Sequence, residues 1–242
     1  MHTTAVQVND IAPAGSGKVL ALSSDIAEST DSGATWTSWY PTVQGGAFIG
    51  VLKDLYFTNS TNGFVVGSAD LDAQYLIMSS SNGGHDWQVV DYSNSGPWPR
   101  RYNAIHIQGS YGYACGTTGA MRRSTTGGGT WGVMPSPTTD ELINVHFTAE
   151  QSGVVQSGTK IWSTTNAGTN WTLRITGTDL GGLSSVDSTV FAAGDNAFYT
   201  GTDHGAVWQT QAAPFTDPKA VHALNLDTIY VATEQGIWVT FN

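Results

Sequence analysis

Ser29-Thr30-Asp31-Ser32-Gly33-Ala34-Thr35-Trp36 reads S-x-D-x-G-x-T-W, and the pattern returns four more times in decaying form. Ser80–Trp87 keeps Ser, Gly84 and Trp87, with Asn82 in place of Asp. Ser124–Trp131 keeps Gly128 and Trp131 but has no Asp. Thr164–Trp171 carries Asn166, Gly168 and Trp171, and Gly201–Trp208 carries Asp203, Gly205 and Trp208. Each residue type has a reason to be in a turn. Asp or Asn bonds its side chain to backbone N–H groups two residues on. The Gly, Gly33 in the first copy, takes the positive φ of a tight hairpin. The Trp, Trp36 in the first copy, starts the outgoing strand and lays its ring under the turn, so all five Trp are expected in the core.

The five Trp follow one another at intervals of roughly 37–51 residues, the period of a four-stranded propeller blade. A second repeat runs upstream of each turn, a strand of small-x-hydrophobic-hydrophobic-small type. It occurs at Gly17–Ala21, Asn62–Gly67, Gly112–Gly116, Ser152–Gln156 and Ser188–Ala192, and a sixth time at Asp227–Ala232 with no turn motif after it. Six such strands against five turns leave the last blade one strand short. Thr3–Val8 alternates like a strand and precedes the first blade. It is expected to supply the missing outer strand and close the ring, hiding an unfinished edge. The reading is an all-β, six-bladed β-propeller with four-stranded antiparallel blades, in a single domain over residues 1–242. The blades span 9–40, 51–92, 102–134, 142–175, 180–211, and 221–242 with residues 3–8.

The turn motif resembles the Asp-box, also called the bacterial neuraminidase repeat, of sialidases and many unrelated β-propellers. Within that group, Tyr113-Ala114-Cys115-Gly116-Thr117-Thr118-Gly119-Ala120, leading into the Ser124 box, looks most like the photosystem II assembly-factor branch. That branch implies an intracellular assembly role. The matched residues are structural, and none carries a functional surface with it.

The totals exclude several classes. Formal net charge is −10 with nine Lys plus Arg, so the basic footprint of a nucleic-acid binder is missing. An acidic surface disfavours anionic membranes, and no run approaches the ~18 apolar residues of a span. Cys115 is the single cysteine, which rules out an intrachain disulfide or a cysteine-based zinc site. It reads as a small buried apolar side chain. Residues 1–10 are polar and lack the apolar core of a signal peptide. A virion or extracellular surface reached without such a signal is favoured, with the cytoplasm as the alternative.

No catalytic set emerges. A sialidase needs an arginine triad, a Tyr–Glu nucleophile pair and an acid/base Asp. The five arginines are Arg100, Arg101, Arg122, Arg123 and Arg174. Arg122 and Arg123 fall on a third strand and Arg174 on an outer fourth strand, away from the ring centre. The Arg-Ile-Pro segment of sialidases is absent. Asp25, Asp70, Asp72, Asp195 and Glu234 occupy loops between second and third strands and read as solvated turn residues. His106, His146 and His222 share one position on innermost strands, with Tyr56, Ala12 and Ser184 as counterparts. A repeated position repeats a packing role, and no carboxylate pairs with these histidines, so neither metal nor cofactor is expected.

The remaining signal is aromatic. Trp39, Tyr40, Phe48, Trp98 and Tyr102 flank two long connectors, 41–50 and 93–101. With Asp70, Asp72, Arg100 and Arg101 they are expected to form one docking face for carbohydrate or protein. The expected function is a non-catalytic binding or structural module, a surface-adhesion or structural component of a phage particle, with other proteins or surface glycans as partners. The alternatives are a glycoside-acting enzyme of the Asp-box type and an intracellular assembly factor.

Overall fold

Alternation along the strands decides the architecture. Successive side chains of a strand point to opposite faces, and here both faces of most strands are apolar. Phe64, Val65 and Val66 are all buried, yet Val65 packs toward the preceding sheet while Phe64 and Val66 pack toward the following one. A sheet with two apolar faces needs a neighbour on each side, and a ring of sheets supplies it. The computed structural model describes residues 8–15, 17–23, 25–43, 46–47, 50–69 and 73–241.

Six sheets form the ring. Blade one is β1 (Asp10–Pro13), β2 (Val19–Leu22), β3 (Ile26–Ser29) and β4 (Thr37–Trp39). A small hairpin follows, β5 (Thr42–Val43) and β6 (Gly46–Ala47), before blade two: β7 (Gly50–Phe57), β8 (Gly63–Ala69), β9 (Gln74–Ser80) and β10 (Asp86–Ser93). Blade three is β11 (Tyr102–Gln108), β12 (Tyr111–Gly116), β13 (Met121–Ser124) and β14 (Gly132–Val133). Blade four is β15 (Leu142–Phe147), β16 (Gly153–Ser157), β17 (Lys160–Thr164) and β18 (Thr172–Thr176). Blade five is β19 (Gly182–Val186), β20 (Thr189–Gly194), β21 (Ala197–Thr202) and β22 (Val207–Ala212). Blade six has three strands, β23 (Pro218–Ala223), β24 (Thr228–Thr233) and β25 (Gly236–Phe241). Within each blade the strands pair in chain order and antiparallel, as the sequence implies, and the one helical turn among the described residues is Thr117–Gly119.

The innermost strands pack on one another in order, β1 on β7, β7 on β11, β11 on β15, β15 on β19 and β19 on β23. Each of these five seams has its own apolar cluster. Leu20, Leu22 and Ile26 meet Leu55 and Trp87 between blades one and two, and Tyr113 and Met134 meet Phe147 and Trp162 between three and four. Phe191 and Phe198 meet Ile229 and Val231 between five and six. Between blades six and one the described residues form no such cluster, and Tyr230, Ile237 and Val239 stand exposed on one side and Ile11 on the other. The closing strand expected at Thr3–Val8 lies outside the described residues, apart from Val8, which is exposed and not in a strand.

The turn motifs are caps, with one change from expectation. In box one the Gly33 N–H donates to Ser29 Oγ at 2.7 Å, and the Ser29 hydroxyl donates to Asp31 Oδ1 at 2.8 Å. Asp31 Oδ1 then accepts the Thr35 N–H at 2.8 Å, four residues on rather than two. The longer reach arises because Gly33 turns at φ 93° and brings the outgoing strand back over the carboxylate. Box two repeats this with Ser80 and Asn82, and box four with Thr164 and Asn166. Box three uses Ser124 and Thr126. Box five has Gly201 in the hydroxyl position and closes instead through backbone bonds from Ala206 to Thr202 and Asp203.

Burial of the box tryptophans departs from expectation. Trp87 is 1% exposed and belongs to the core, whereas Trp131, Trp171 and Trp208 are half-buried and Trp36 is 43% exposed. A box packs against the blade before it. A Cβ on Gly84 would stand 2.9 Å from Leu20 Cδ2, and one on Gly205 would stand 2.5 Å from Val154 Cγ1. Gly33 meets only its own Trp36, because no described residue of blade six reaches it.

Candidate functional site

Innermost strands wall the channel, so their side chains decide what it can hold. Tyr56 on β7, His106 on β11 and His146 on β15 form a row of rings across three blades. Tyr56 and His106 have centroids 5.0 Å apart, and His106 and His146 4.6 Å apart. His146 Nε2 meets Ser185 Oγ of β19 at 2.7 Å and carries the row into blade five. Tyr56, His106, His146 and Ser185 border a cavity of about 560 Å³, which Gln108, Thr148 and Asp187 extend toward the end of the ring that bears the boxes.

Burial governs the chemistry of this row. It holds the His106 pKa down at about 3, with His146 as the second cause, against the opposing pull of Gln108 and the Phe147 backbone. Burial alone holds His146 at about 4. Both rings are therefore neutral at physiological pH. His106 Nε2 is shielded and without a hydrogen-bond partner among the described residues. No three of His, Cys, Asp and Glu converge as metal ligands among those residues.

Carboxyls beneath the row tie the blades together. Asp10 Oδ2 accepts the Leu55 N–H at 2.9 Å, from blade one to blade two. Asp54 Oδ2 accepts the Ile105 N–H at 2.6 Å, from blade two to blade three. Burial, then the neighbouring Asp10, push the Asp54 carboxyl well above the ordinary carboxylate range. Cys115 is buried nearby, and burial followed by Asp54 pushes its thiol up, which makes it inert packing.

Among the described residues, the members of the expected docking face fall in different places. Trp39 packs on the core, donates its indole N–H to Gly84 O at 3.3 Å and stacks on His85. Tyr40 is 77% exposed but leads into β5, which pairs with β10 at Thr42–Asp86, beside box two. Thr42–Val43 thus line the outer edge of blade two, because β10 offers a free edge there. Trp98 is 69% exposed and lies near Arg100, which holds Ala73 O at 3.0 Å. Ala73 precedes β9, whose far end enters box two, so a seven-residue strand of roughly 20 Å separates the Trp98 group from Tyr40. Arg101 bonds Asn103 and pairs with Glu141 at 3.5 Å. Tyr102 is fully buried against Tyr75 and reaches no surface. Phe48, Asp70 and Asp72 lie outside the described residues.

The other arginines serve structure. Arg122 pairs with Asp91 at 3.1 Å across a seam, Arg123 holds Ala167 O of box four at 2.8 Å, and Arg174 donates to Ser163 Oγ. They do not converge as a carboxylate clamp would require. His222 is exposed and stays outside the row. Reasoning from sequence found the shared position of Tyr56, His106 and His146 but named Ser184 in blade five. Adjacent residues of a strand face opposite ways, and Ser184 turns to blade six, where its Oγ accepts the Ala223 N–H. Asp10 and Asp54 were missed. Each stands two residues before the row position of its strand, and that shared offset is the signal that would have found them.

Fold and site together define a propeller of the Asp-box kind, with hydrogen-bonded turn caps and a polar channel in which no catalytic set converges among the described residues. The chain belongs to the Photosynthesis system II assembly factor YCF48 family, whose model matches residues 42–189. A curated relative, the chloroplastic photosystem II stability/assembly factor HCF136 of Oryza sativa subsp. japonica, is 25% identical over 160 residues, covering 63% of this chain and 36% of that protein. The chain thus spans about a third of that relative's length. Among solved structures, a Niastella koreensis GH74 enzyme matches at TM-score 0.71 and 15% identity over 96% of this chain and 44% of its own. YCF48 from Cyanidioschyzon merolae matches at 0.56 and 13%, over 100% and 97%. YCF48 bound to D1 peptide matches at 0.51 and 14%, over 99% and 94%. At such identities the structures show the fold alone. The family model and the curated relative are both described as photosystem II assembly factors.

Proposed function

We propose that the chain is an assembly factor that holds a segment of a client protein at the channel mouth of blades two to five. The carrying observation is one of coincidence. The family match over 42–189 contains every residue that borders the channel cavity, from Asp54 to Asp187. A relative solved with a peptide of D1 supports a peptide as the ligand class. The channel suits that role, with neutral rings and uncharged amides on rigid strands and nothing poised for bond cleavage.

The test is binding of overlapping synthetic D1 segments to the immobilised chain, followed by Gln108→Trp to fill the mouth. The expected outcome is capture of at least one segment, weakened about tenfold or more by Gln108→Trp at unchanged melting temperature. Equal binding by wild type and Gln108→Trp, or no capture at all, would overturn the reading. Exposed Trp98, at the other end of the ring, favours a second reading, adhesion at a particle surface. It requires glycan or cell binding that Trp98→Ala abolishes, whereas the channel reading leaves Trp98→Ala silent.

A further inference from the structure

The cavity at the channel mouth has a chemical bias. Among the described residues, Asp54 and Asp187 border it and no lysine or arginine does. Asp187 stands exposed at the rim, on the turn between β19 and β20. Deeper in, the two neutral histidines each carry one N–H and one lone pair. The Gln108 side chain and the Phe147 backbone beside the His106 ring both favour its protonated form. Nε2 is the ring nitrogen without a hydrogen-bond partner among the described residues, and the tautomer with its N–H on Nδ1 presents a lone pair there. A ligand N–H gains by reaching an unmet buried acceptor.

The ring row adds shape. Tyr56 and His146 flank His106 with centroids 5.0 and 4.6 Å away, tilted rather than coplanar. Such a row offers edges and faces to a flat group, and the Tyr56 face attracts a cation. A planar cation with several N–H donors answers each feature: the lone pair of His106, the ring faces and the carboxylate of Asp187. Guanidinium has that form, and ammonium lacks the plane.

We propose that this cavity receives an arginine side chain of the client segment, its guanidinium donating to His106 Nε2 and facing Asp187. The proposal rests on the channel being the client site. N-acetyl-arginine amide is the probe, with N-acetyl-citrulline amide as its neutral counterpart of the same shape. NMR of the ring Cε1–H signals of His106 and His146 reads the titration. The expected result is a saturable shift with the arginine probe and an affinity about tenfold weaker with citrulline. Asp187→Asn, on an exposed turn at φ 51° that Asn tolerates, should weaken the arginine probe several-fold and leave citrulline unchanged. Equal affinity for both probes, or no saturable shift of either histidine, would refute it. The two readings fail separately. Client capture that depends on Gln108 without arginine binding removes only the arginine site. Arginine binding with client capture indifferent to Gln108→Trp removes only the client reading.

Discussion

Boxes one and two share Ser, an Asx residue, Gly and Trp in the same places and make the same turn, yet their tryptophans have opposite surroundings. The Ser29–Asp31–Gly33 and Ser80–Asn82–Gly84 bonds superimpose in kind, hydroxyl to glycine N–H and Asx oxygen to the N–H four residues on. Trp87 nevertheless lies in the seam with Leu20 and Leu22, while Trp36 is 43% exposed. The turn is a property of eight residues. The burial of its tryptophan is a property of the neighbouring blade.

The largest expected effect breaks this comparison directly. Trp87→Ala opens a cavity in a seam and should cost about 3–5 kcal/mol in denaturant unfolding. Trp36→Ala removes a ring already half in water and should cost about 1 kcal/mol. Equal costs would mean that blade six, or a residue outside the described set, covers box one.

A second contrast lies in what the repeat keeps. Boxes keep residue identity, and most of their hydrogen bonds stay within one blade. The channel keeps position and varies identity, and its bonds cross seams, as from Asp54 to Ile105. Asp54 is the sharpest probe of that crossing. Burial and Asp10 hold its folded-state pKa above the ordinary value of 3.8, so the folded chain keeps a proton that the unfolded chain has lost. The stability this proton confers is fully present below pH 3.8 and declines as pH rises toward the folded value. Asp54→Asn keeps an oxygen for Ile105 and gains an N–H for Asp10, without the charge. Denaturation curves across pH should show the variant more stable than wild type at neutral pH and free of the decline. A variant less stable at neutral pH would show that both Asp54 oxygens are needed as acceptors.

These contrasts also explain how much was legible beforehand. The box residues repeat in identity, so period, blade limits and strand order could be read from Trp and Gly spacing, and the second strand of each blade followed from its small-x-hydrophobic pattern. The row of Tyr56, His106 and His146 was legible as a position but not as a cavity, since a cavity depends on seam geometry. Exposure of Trp36 was not legible because it depends on a neighbour's placement rather than on any residue of box one. The hairpin at 42–47 escaped notice because two-residue strands carry no alternation. The separation of Tyr40 from Trp98 was hidden for the same reason, since it follows from Thr42 pairing with Asp86.

The smallest effect concerns Asp31, where the chain contains its own control. Hydrogen bonds from Thr35 first, then Ser29, hold the Asp31 carboxyl at about 2. A lowered carboxyl contributes stability that is present above its ordinary 3.8 and is lost as pH falls through about 2. Box two shows what an amide does in the same place. Asn82 accepts from Ser80 and from the Asp86 N–H, and its own amide donates to Asp86 Oδ2 at 2.7 Å. In Asp31→Asn the amide group can likewise turn to Thr35, whose hydroxyl now donates to Asp31 Oδ2 at 2.6 Å but can also accept. Neutral-pH stability should therefore change little, because every partner in the turn remains bonded. Thermal melts in acid should separate the two proteins, with wild type losing stability on acidification that the variant keeps. A variant destabilised at neutral pH would mean that the negative charge, rather than the acceptor geometry that box two shares, holds the first box together.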